Sequence, residues 1–319
     1  MNKEFLPLIR STLAYKLFEK DIPENFSHSY LILSRDKIAL ENLLTLICLK
    51  VYCPKGGCGQ CAECEKVFSD NKTDLRQINP DGEAFKVEQV EEILDDASLS
   101  SFEGGEKLYL IRNLDQCSEV VQNKLLKTLE EPRSKVHFII TASSPQGVLP
   151  TVRSRVRQIV LAPFSAEALL GALREKDFDE EGAKGAARCS AGLLELAVKL
   201  LQDGRYFILS SFLLDMLESL SFDSMPTFLS GKEFSQKELA DTMDFLEMIF
   251  QDILKTRYGK GALSFEKYAD RYTALAKKID EKKCALALDA VAEARKRYKA
   301  NCGAESISHL LLMDILEVL

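Results

Sequence analysis

Strand-like and helix-like patterns alternate through the first half of the chain. Residues 29–34 (SYLILS) form an apolar run of strand length behind the turn-like residues 23–28 (PENFSH). Residues 36–49 then carry Ile38, Leu43, Leu46 and Ile47 at helical spacing, and residues 87–99 place Val87, Val90, Ile93, Leu94 and Ala97 on one helical face. After the Gly104–Gly105 turn, residues 107–111 (KLYLI) predict a strand. Residues 118–131 predict a helix with Ser118 as N-cap, with Val121, Leu125, Leu126 and Leu129 facing inward, and with Pro132 as its stop. Two more strands are expected at residues 136–141 (VHFIIT) and 158–161 (QIVL). Strands separated by helices in this way predict an α/β domain whose parallel sheet is covered on both faces.

From Ser165 onward the strand signals almost vanish. Residues 165–203 read as three or four short helices punctuated by Gly182, Gly185, Gly192 and Gly204. Residues 205–319 form a helical block, in which Phe245, Met248, Ile249 and Ile253 make one stripe and Leu310, Leu311 and Ile315 another. Such stripes are the marks of core packing. There is no internal repeat and no low-complexity linker.

A length of 319 residues suggests about two domains, or three small ones, at roughly 150 residues each. The composition, 46% hydrophobic and 29% charged, is that of a globular protein and excludes disorder, collagen and coiled coil as the main description. With 42 basic against 49 acidic residues the net charge is −7, so the chain has no means of holding nucleic acid by bulk electrostatics. Any DNA contact is expected to be local or made by a partner. The basic run Arg295-Lys296-Arg297 with Lys299 reads as a solvated helix face. No apolar run reaches the roughly 18 residues of a membrane helix. Residues 1–17 lack the apolar core of a signal peptide, so a cytoplasmic location without membrane contact is expected.

Four of the nine cysteines, Cys53, Cys58, Cys61 and Cys64, fall within twelve residues, spaced C-x4-C-x2-C-x2-C. In a reducing compartment such a cluster reads as metal ligation. Zinc prefers four tetrahedral soft ligands, and Pro54, Gly56, Gly57 and Gly59 permit the tight turns that gather them. Four thiolates leave no open position for water, so the site would be structural. An iron–sulfur cluster also fits Cys-x2-Cys-x2-Cys, and a group of buried free thiols is the plainer alternative. Cys48 competes as first ligand, but its apolar helical neighbours favour packing.

The strand, turn and helix over residues 29–49 are laid out as for a phosphate-binding loop, which needs G-x-x-x-x-G-K-[ST]. The chain reads Ser34-Arg35-Asp36-Lys37-Ile38-Ala39-Leu40-Glu41 instead. Both glycines are missing, the second replaced by Ala39, and Leu40 and Glu41 stand where Lys and the magnesium-binding hydroxyl belong. The acid expected after the strand ending at Ile111 is replaced by Arg112 and Asn113. With two separate parts of the site lost, ATP hydrolysis is not expected. Further on, Ser154 and Arg155 lie on a short turn from which an arginine can reach a neighbouring subunit's phosphate.

Residues 122–132 (QNKLLKTLEEP), residues 151–155 (TVRSR) and the cysteine cluster resemble the bacterial clamp-loader subunits of DNA polymerase III, the AAA+ gamma/tau and delta-prime group. The resemblance spans about residues 1–200, and the helical remainder agrees in length and type. The lost phosphate loop is similar to that of the delta-prime members, which do not hydrolyse ATP. The family's Ser-Arg-Cys motif appears as Ser154-Arg155-Val156, and Gly192-Leu193-Leu194-Glu195 matches the family's Gly-Ser-x-Arg turn with Glu in place of its sensor arginine. Counted from His28, Cys53 falls where relatives have their first zinc ligand, with a shorter interval to Cys58.

The resemblance implies a RecA-like (AAA+) domain over residues 1–164 carrying a zinc module at about 53–64. A helical lid at 165–204 and an all-α collar at 205–319 would follow. It implies assembly with gamma/tau and delta subunits in a ring of five that loads a sliding clamp onto primed DNA. It further implies Zn2+ on Cys53, Cys58, Cys61 and Cys64, no ATP on this subunit, and an arginine finger, Arg155 with Ser154, donated in trans. The competing readings are an ATP-hydrolysing gamma/tau-like ATPase and a zinc-ribbon nucleic-acid-binding protein.

Overall fold

The computed structural model describes residues 1–319 apart from 2, 80–86, 98, 100, 131–134, 177, 203–204, 260, 262 and 265. Among the described residues, five strands form one parallel sheet: β1 (Ser29–Leu33), β2 (Leu75–Ile78), β3 (Lys107–Ile111), β4 (Val136–Ala142) and β5 (Arg157–Val160). Their order is β2-β3-β4-β1-β5. The apolar runs of β3 and β4 are buried throughout and β1 nearly so, as expected of central strands covered on both faces. Tyr30 of β1 lies opposite Ile139 of β4 on one side and Arg157 of β5 on the other. The strand order therefore reverses at β1, and open α/β sheets bind ligands at the carboxyl end of such a strand.

Among the described residues, the α-helices along this part of the chain are α1 (Leu6–Arg10), α2 (Leu13–Asn25), α3 (Lys37–Tyr52), α4 (Ala62–Phe68), α5 (Val87–Ala97), α6 (Glu119–Glu130), α7 (Pro150–Arg153) and α8 (Ala166–Arg174). Thr12 caps α2 by accepting from the Tyr15 N–H, and the Ser118 hydroxyl accepts from Val121 N–H at the start of α6. One face of α5 (Val90, Ile93, Ala97) and one of α6 (Val121, Leu125, Leu129) pack on Tyr109, Ile111, Phe138 and Ile140 of the sheet. The remaining helices are α9 (Glu180–Cys189), α10 (Leu194–Gln202), α11 (Arg205–Ser219), α12 (Met225–Leu229), α13 (Leu239–Tyr258), α14 (Ala269–Lys278), α15 (Glu281–Lys299) and α16 (Ala304–Val318). No helix among the described residues is long and apolar enough to cross a membrane.

The chain divides into two compact units, residues 1–172 with Leu193–Glu195, and residues 173–192 with 196–319. This differs from the three parts expected at 1–164, 165–204 and 205–319, because residues 165–204 are shared between the two units. In the second unit Arg188 of α9 donates to the Leu263 carbonyl and pairs with Glu266, and Lys199 of α10 pairs with Asp241 of α13. Those ties join α9 and most of α10 to the later helices. Within the same unit Phe245, Ile249 and Ile253 of α13 are buried, as are Leu311 and Ile315 of α16.

Several local expectations change. Strand β2 was not expected: two of its four residues, Arg76 and Gln77, are polar, and it lies at the edge of the sheet, paired with β3. Pro23, Glu24 and Asn25 close α2 and do not belong to a turn. Gly182 and Gly185 lie inside α9, where a Cβ on Gly182 would run into the Asp179 carboxylate. Leu310 is 46% exposed and departs from its stripe. Glu131, the helix stop Pro132 and Gly204 lie outside the described residues.

Candidate functional site

The carboxyl end of β1 leads into α3, whose N-terminus would be the natural seat of a phosphate. Carboxylates of the chain itself hold those backbone donors. Asp36 caps α3 through its Oδ1, which accepts from Ala39 N–H at 2.9 Å and from Glu195 N–H at 3.2 Å, while its other oxygen accepts from Leu194 N–H. Glu195 in turn accepts from Lys37 N–H at 2.9 Å. Burial pushes the Asp36 carboxyl upward, against the opposing pull of the three amides. All these residues belong to the first unit.

One turn further along α3, Glu41 meets Arg112, which directly follows β3. Arg112 Nε donates to Glu41 Oε1 at 2.6 Å and Nη2 donates to Oε2 at 2.8 Å, a bidentate pair; Nη2 also donates to Gln77 Oε1 of β2 at 2.7 Å. The Arg112 side chain is 5% exposed and that of Glu41 21%. The two positions that would supply a magnesium hydroxyl and a magnesium carboxylate thus neutralise each other. Ala39 and Leu40 are buried, and Asn113 turns the chain in the left-handed region with its N–H on Thr141 Oγ1 at 3.1 Å. A cleft of about 410 Å³ opens at the strand ends, lined largely by Leu33, Val160, Leu161, Pro163 and Phe164, with Arg35 and Asp36 beside them.

The cysteine cluster sits between α3 and α4. The Sγ separations are 3.6 Å (Cys53–Cys58), 3.7 Å (Cys53–Cys61), 3.9 Å (Cys58–Cys64) and 3.6 Å (Cys61–Cys64). Four sulfurs bound to one tetrahedral ion at about 2.3 Å would be about 3.8 Å apart, so the set fits a single ion. A four-iron cube would spread its cysteines over separate corners. The four Sγ atoms lie within 4.8 Å of one another and could hold a metal ion. Cys53 Sγ accepts from Cys58 N–H and Cys64 Sγ from Gly59 N–H. Burial opposes ionisation of Cys53, but the amides of Cys58, Gly57 and Lys55 outweigh it and bring its thiol down to about 6. Gly57, at φ +97°, adopts a backbone that a side chain would strain, and its carbonyl accepts from Arg10 at 3.0 Å. Cys48 is fully buried on α3 and is not one of the four. The module is tied down by Lys72, which reaches Glu63 at 2.7 Å, pairs with Glu103 and lies 4.9 Å over the Tyr52 ring.

Arg155 follows α7 on a tight turn. Its Nε donates to Glu130 Oε1 at 2.5 Å, and its Nη1 donates to the Thr151 carbonyl at 2.8 Å and to Ser154 Oγ at 3.3 Å. Ser154 Oγ itself donates to the Thr151 carbonyl at 3.0 Å. The arginine side chain is 35% exposed. A pairing with a surface carboxylate, the plain reading of such a turn, is therefore present.

A family model described as DNA polymerase III, delta subunit, matches residues 11–165, which span the sheet, the cysteine cluster and the arginine turn. The DNA polymerase III subunit delta' of Bacillus subtilis (strain 168) is 27% identical over 317 residues, covering 94% of each chain. Over nearly its whole length the chain is similar to the delta-prime subunits of DNA polymerase III. Subunit delta' of Escherichia coli (strain K12) is 23% identical over 91% of this chain and 87% of that protein. The tau subunit of the same organism is 30% identical over 44% of this chain and 23% of its own length.

In this delta-prime-like chain the sequence-predicted residues gather in three places: Glu41 with Arg112, the four cysteines with one another, and Arg155 with Ser154. Gln77 and Glu130 join these groups, and Asp36 holds the start of α3, without having been singled out for those roles. Asp36 carried a legible signal, an acid directly before a helical stripe. Gln77 and Glu130 carried none, since their partners lie 35 and 25 residues away. Lys66 pairs with Glu63, and the basic run on α15 is largely paired: Arg295 with Asp244 and Glu247, Lys296 and Arg297 with Glu293.

Proposed function

We propose that this chain is a non-hydrolysing delta-prime-type subunit of the bacterial clamp loader. It assembles in the cytoplasm with gamma/tau and delta subunits, in a ring of five that loads the sliding clamp onto primed DNA, and donates Arg155 in trans to a neighbouring ATPase site. The observation that carries this reading is the Glu41–Arg112 pair. An ATPase needs its magnesium ligands unoccupied by protein cations, and here a guanidinium stands at the acid's position, closed by the residue at the hydroxyl's position. The carboxylates of Asp36 and Glu195 on the α3 backbone donors oppose phosphate as well. These features weigh against the gamma/tau-like ATPase alternative, and the net charge of −7 weighs against an autonomous nucleic-acid-binding ribbon. Isolated protein titrated with Mg-ATP in a calorimeter is expected to give no saturable heat in the micromolar range, where binding is worth roughly −8 kcal/mol. A one-to-one isotherm there would overturn the reading.

The metal of this subunit is zinc in the same reading, held by Cys53, Cys58, Cys61 and Cys64 in a closed structural site. Bound there, zinc supplies cross-linking of the loop and no open coordination position. Cys58→Ser is expected to lower zinc content from one per chain to a small fraction. Backbone amides over about residues 53–68 should then exchange faster, because metal binding and folding of such loops are one process. The helices after residue 205 should keep their protection. Elemental analysis finding iron, or no metal in protein purified without chelator, would contradict the assignment.

A further inference from the structure

The geometry points to Glu130 as the residue that positions Arg155, an inference that rests on the finger reading given above. Glu130 is the last residue of α6, where a carboxylate faces the negative end of the helix dipole and gains nothing from the helix itself. Its evident gain is the guanidinium: Oε1 accepts from Arg155 Nε and also lies 2.5 Å from Nη2. The other side of the guanidinium is held by the Thr151 carbonyl and Ser154 Oγ at the end of α7. The planar fork is thus gripped between the ends of two helices packed on the same sheet, and it stays 35% exposed. An arginine that stabilises a transferred phosphoryl group acts through placement, and an error of about 1 Å can cost about 10²-fold in rate. A long, unanchored side chain on a surface turn would seldom be in place. Ser154 in this view is the second anchor.

A brake would use the same contact differently. If Glu130 competed with phosphate for Arg155, its removal would accelerate hydrolysis; if it anchored the fork, removal would slow it. Glu130→Gln separates geometry from charge, because the amide oxygen still accepts from Nε while the negative charge is gone.

The test is ATP hydrolysis, stimulated by clamp and primed DNA, in complexes reconstituted from the ATPase subunits and four forms of this chain: wild type, Arg155→Ala, Glu130→Ala and Glu130→Gln. Assembly by gel filtration and zinc content serve as controls that positioning alone would not move. Glu130→Ala is expected to remove most of the turnover that Arg155→Ala removes, roughly a 10-fold loss at the served site, in kcat with KM unchanged. Glu130→Gln is expected to restore most of it. Wild-type or faster turnover with Glu130→Ala, beside a damaged Arg155→Ala, would overturn the positioning role and leave the finger standing. Wild-type turnover with Arg155→Ala would remove both.

Discussion

Glu41→Leu is expected to destabilise the sheet-containing unit by about 3–5 kcal/mol, more than any other surface-accessible substitution considered for this chain. The reason is what it leaves behind. The Arg112 guanidinium is 4% exposed as a residue, cannot shed its proton, and would keep only the Gln77 amide as partner. Replacing both members, as Glu41→Leu with Arg112→Met, should return stability to within about 1 kcal/mol of the wild type, or above it, since a buried ion pair seldom outperforms well-packed apolar groups. The coupling between the two sites, read from urea unfolding of the wild type, Glu41→Leu, Arg112→Met and the double variant in zinc-replete buffer, should therefore be large. A Glu41→Leu protein with the wild-type midpoint would mean that water screens the pair, and that it does not seal the magnesium position. The double variant is also not expected to regain nucleotide binding, because Asp36 and Glu195 would still hold the α3 backbone donors.

The central strands were legible because they are buried on both faces, and the edge strand β5 was legible from its apolar run Ile159-Val160-Leu161 although three of its four residues are exposed. The apolar runs of β1, β3 and β4 announce central parallel strands, and the structure places them side by side. The edge strand β2 was not legible, because Leu75-Arg76-Gln77-Ile78 has two polar residues at its centre and no periodicity long enough to count. The glycines of α9 misled for a related reason. Gly182 reads locally as punctuation, yet its lack of a side chain is used for close approach, to Asp179 and Leu201.

The losses in the nucleotide site were visible as missing letters: no glycines, no lysine, no acid after β3. What replaced them was not visible, since it depends on which distant residues the fold brings together. Glu41 and Arg112 are 71 residues apart and become partners only when α3 and β3 lie in adjacent layers. The cysteine spacing, by contrast, was sufficient by itself to predict a cluster, because ligands that close in sequence need only turns to converge. Arg155 occupies the middle ground. Its turn was legible, while its anchor Glu130, on another helix, was not.

Arg155→Ala is the second substitution with a large expected effect, and it falls on a different molecule. At the ATPase site that this arginine serves, removal should slow hydrolysis by about 10³–10⁵-fold, the range for a sole arginine finger, because the guanidinium neutralises charge developing on the transferred phosphoryl group. Other sites in the complex would be served by other subunits, so total turnover should fall by one site's share and clamp loading with it. Arg155→Lys should recover little, since a point charge does not reproduce the planar fork. Folding, zinc content and assembly should be unchanged, as the side chain is 35% exposed and its partners Glu130, Thr151 and Ser154 lie at the surface. The most direct test of the account is therefore the steady-state rate of ATP hydrolysis by the reconstituted complex, with clamp and primed DNA, carrying wild-type or Arg155→Ala chain. The account predicts intact assembly with turnover reduced by the share of one site; intact assembly with undiminished turnover would contradict it.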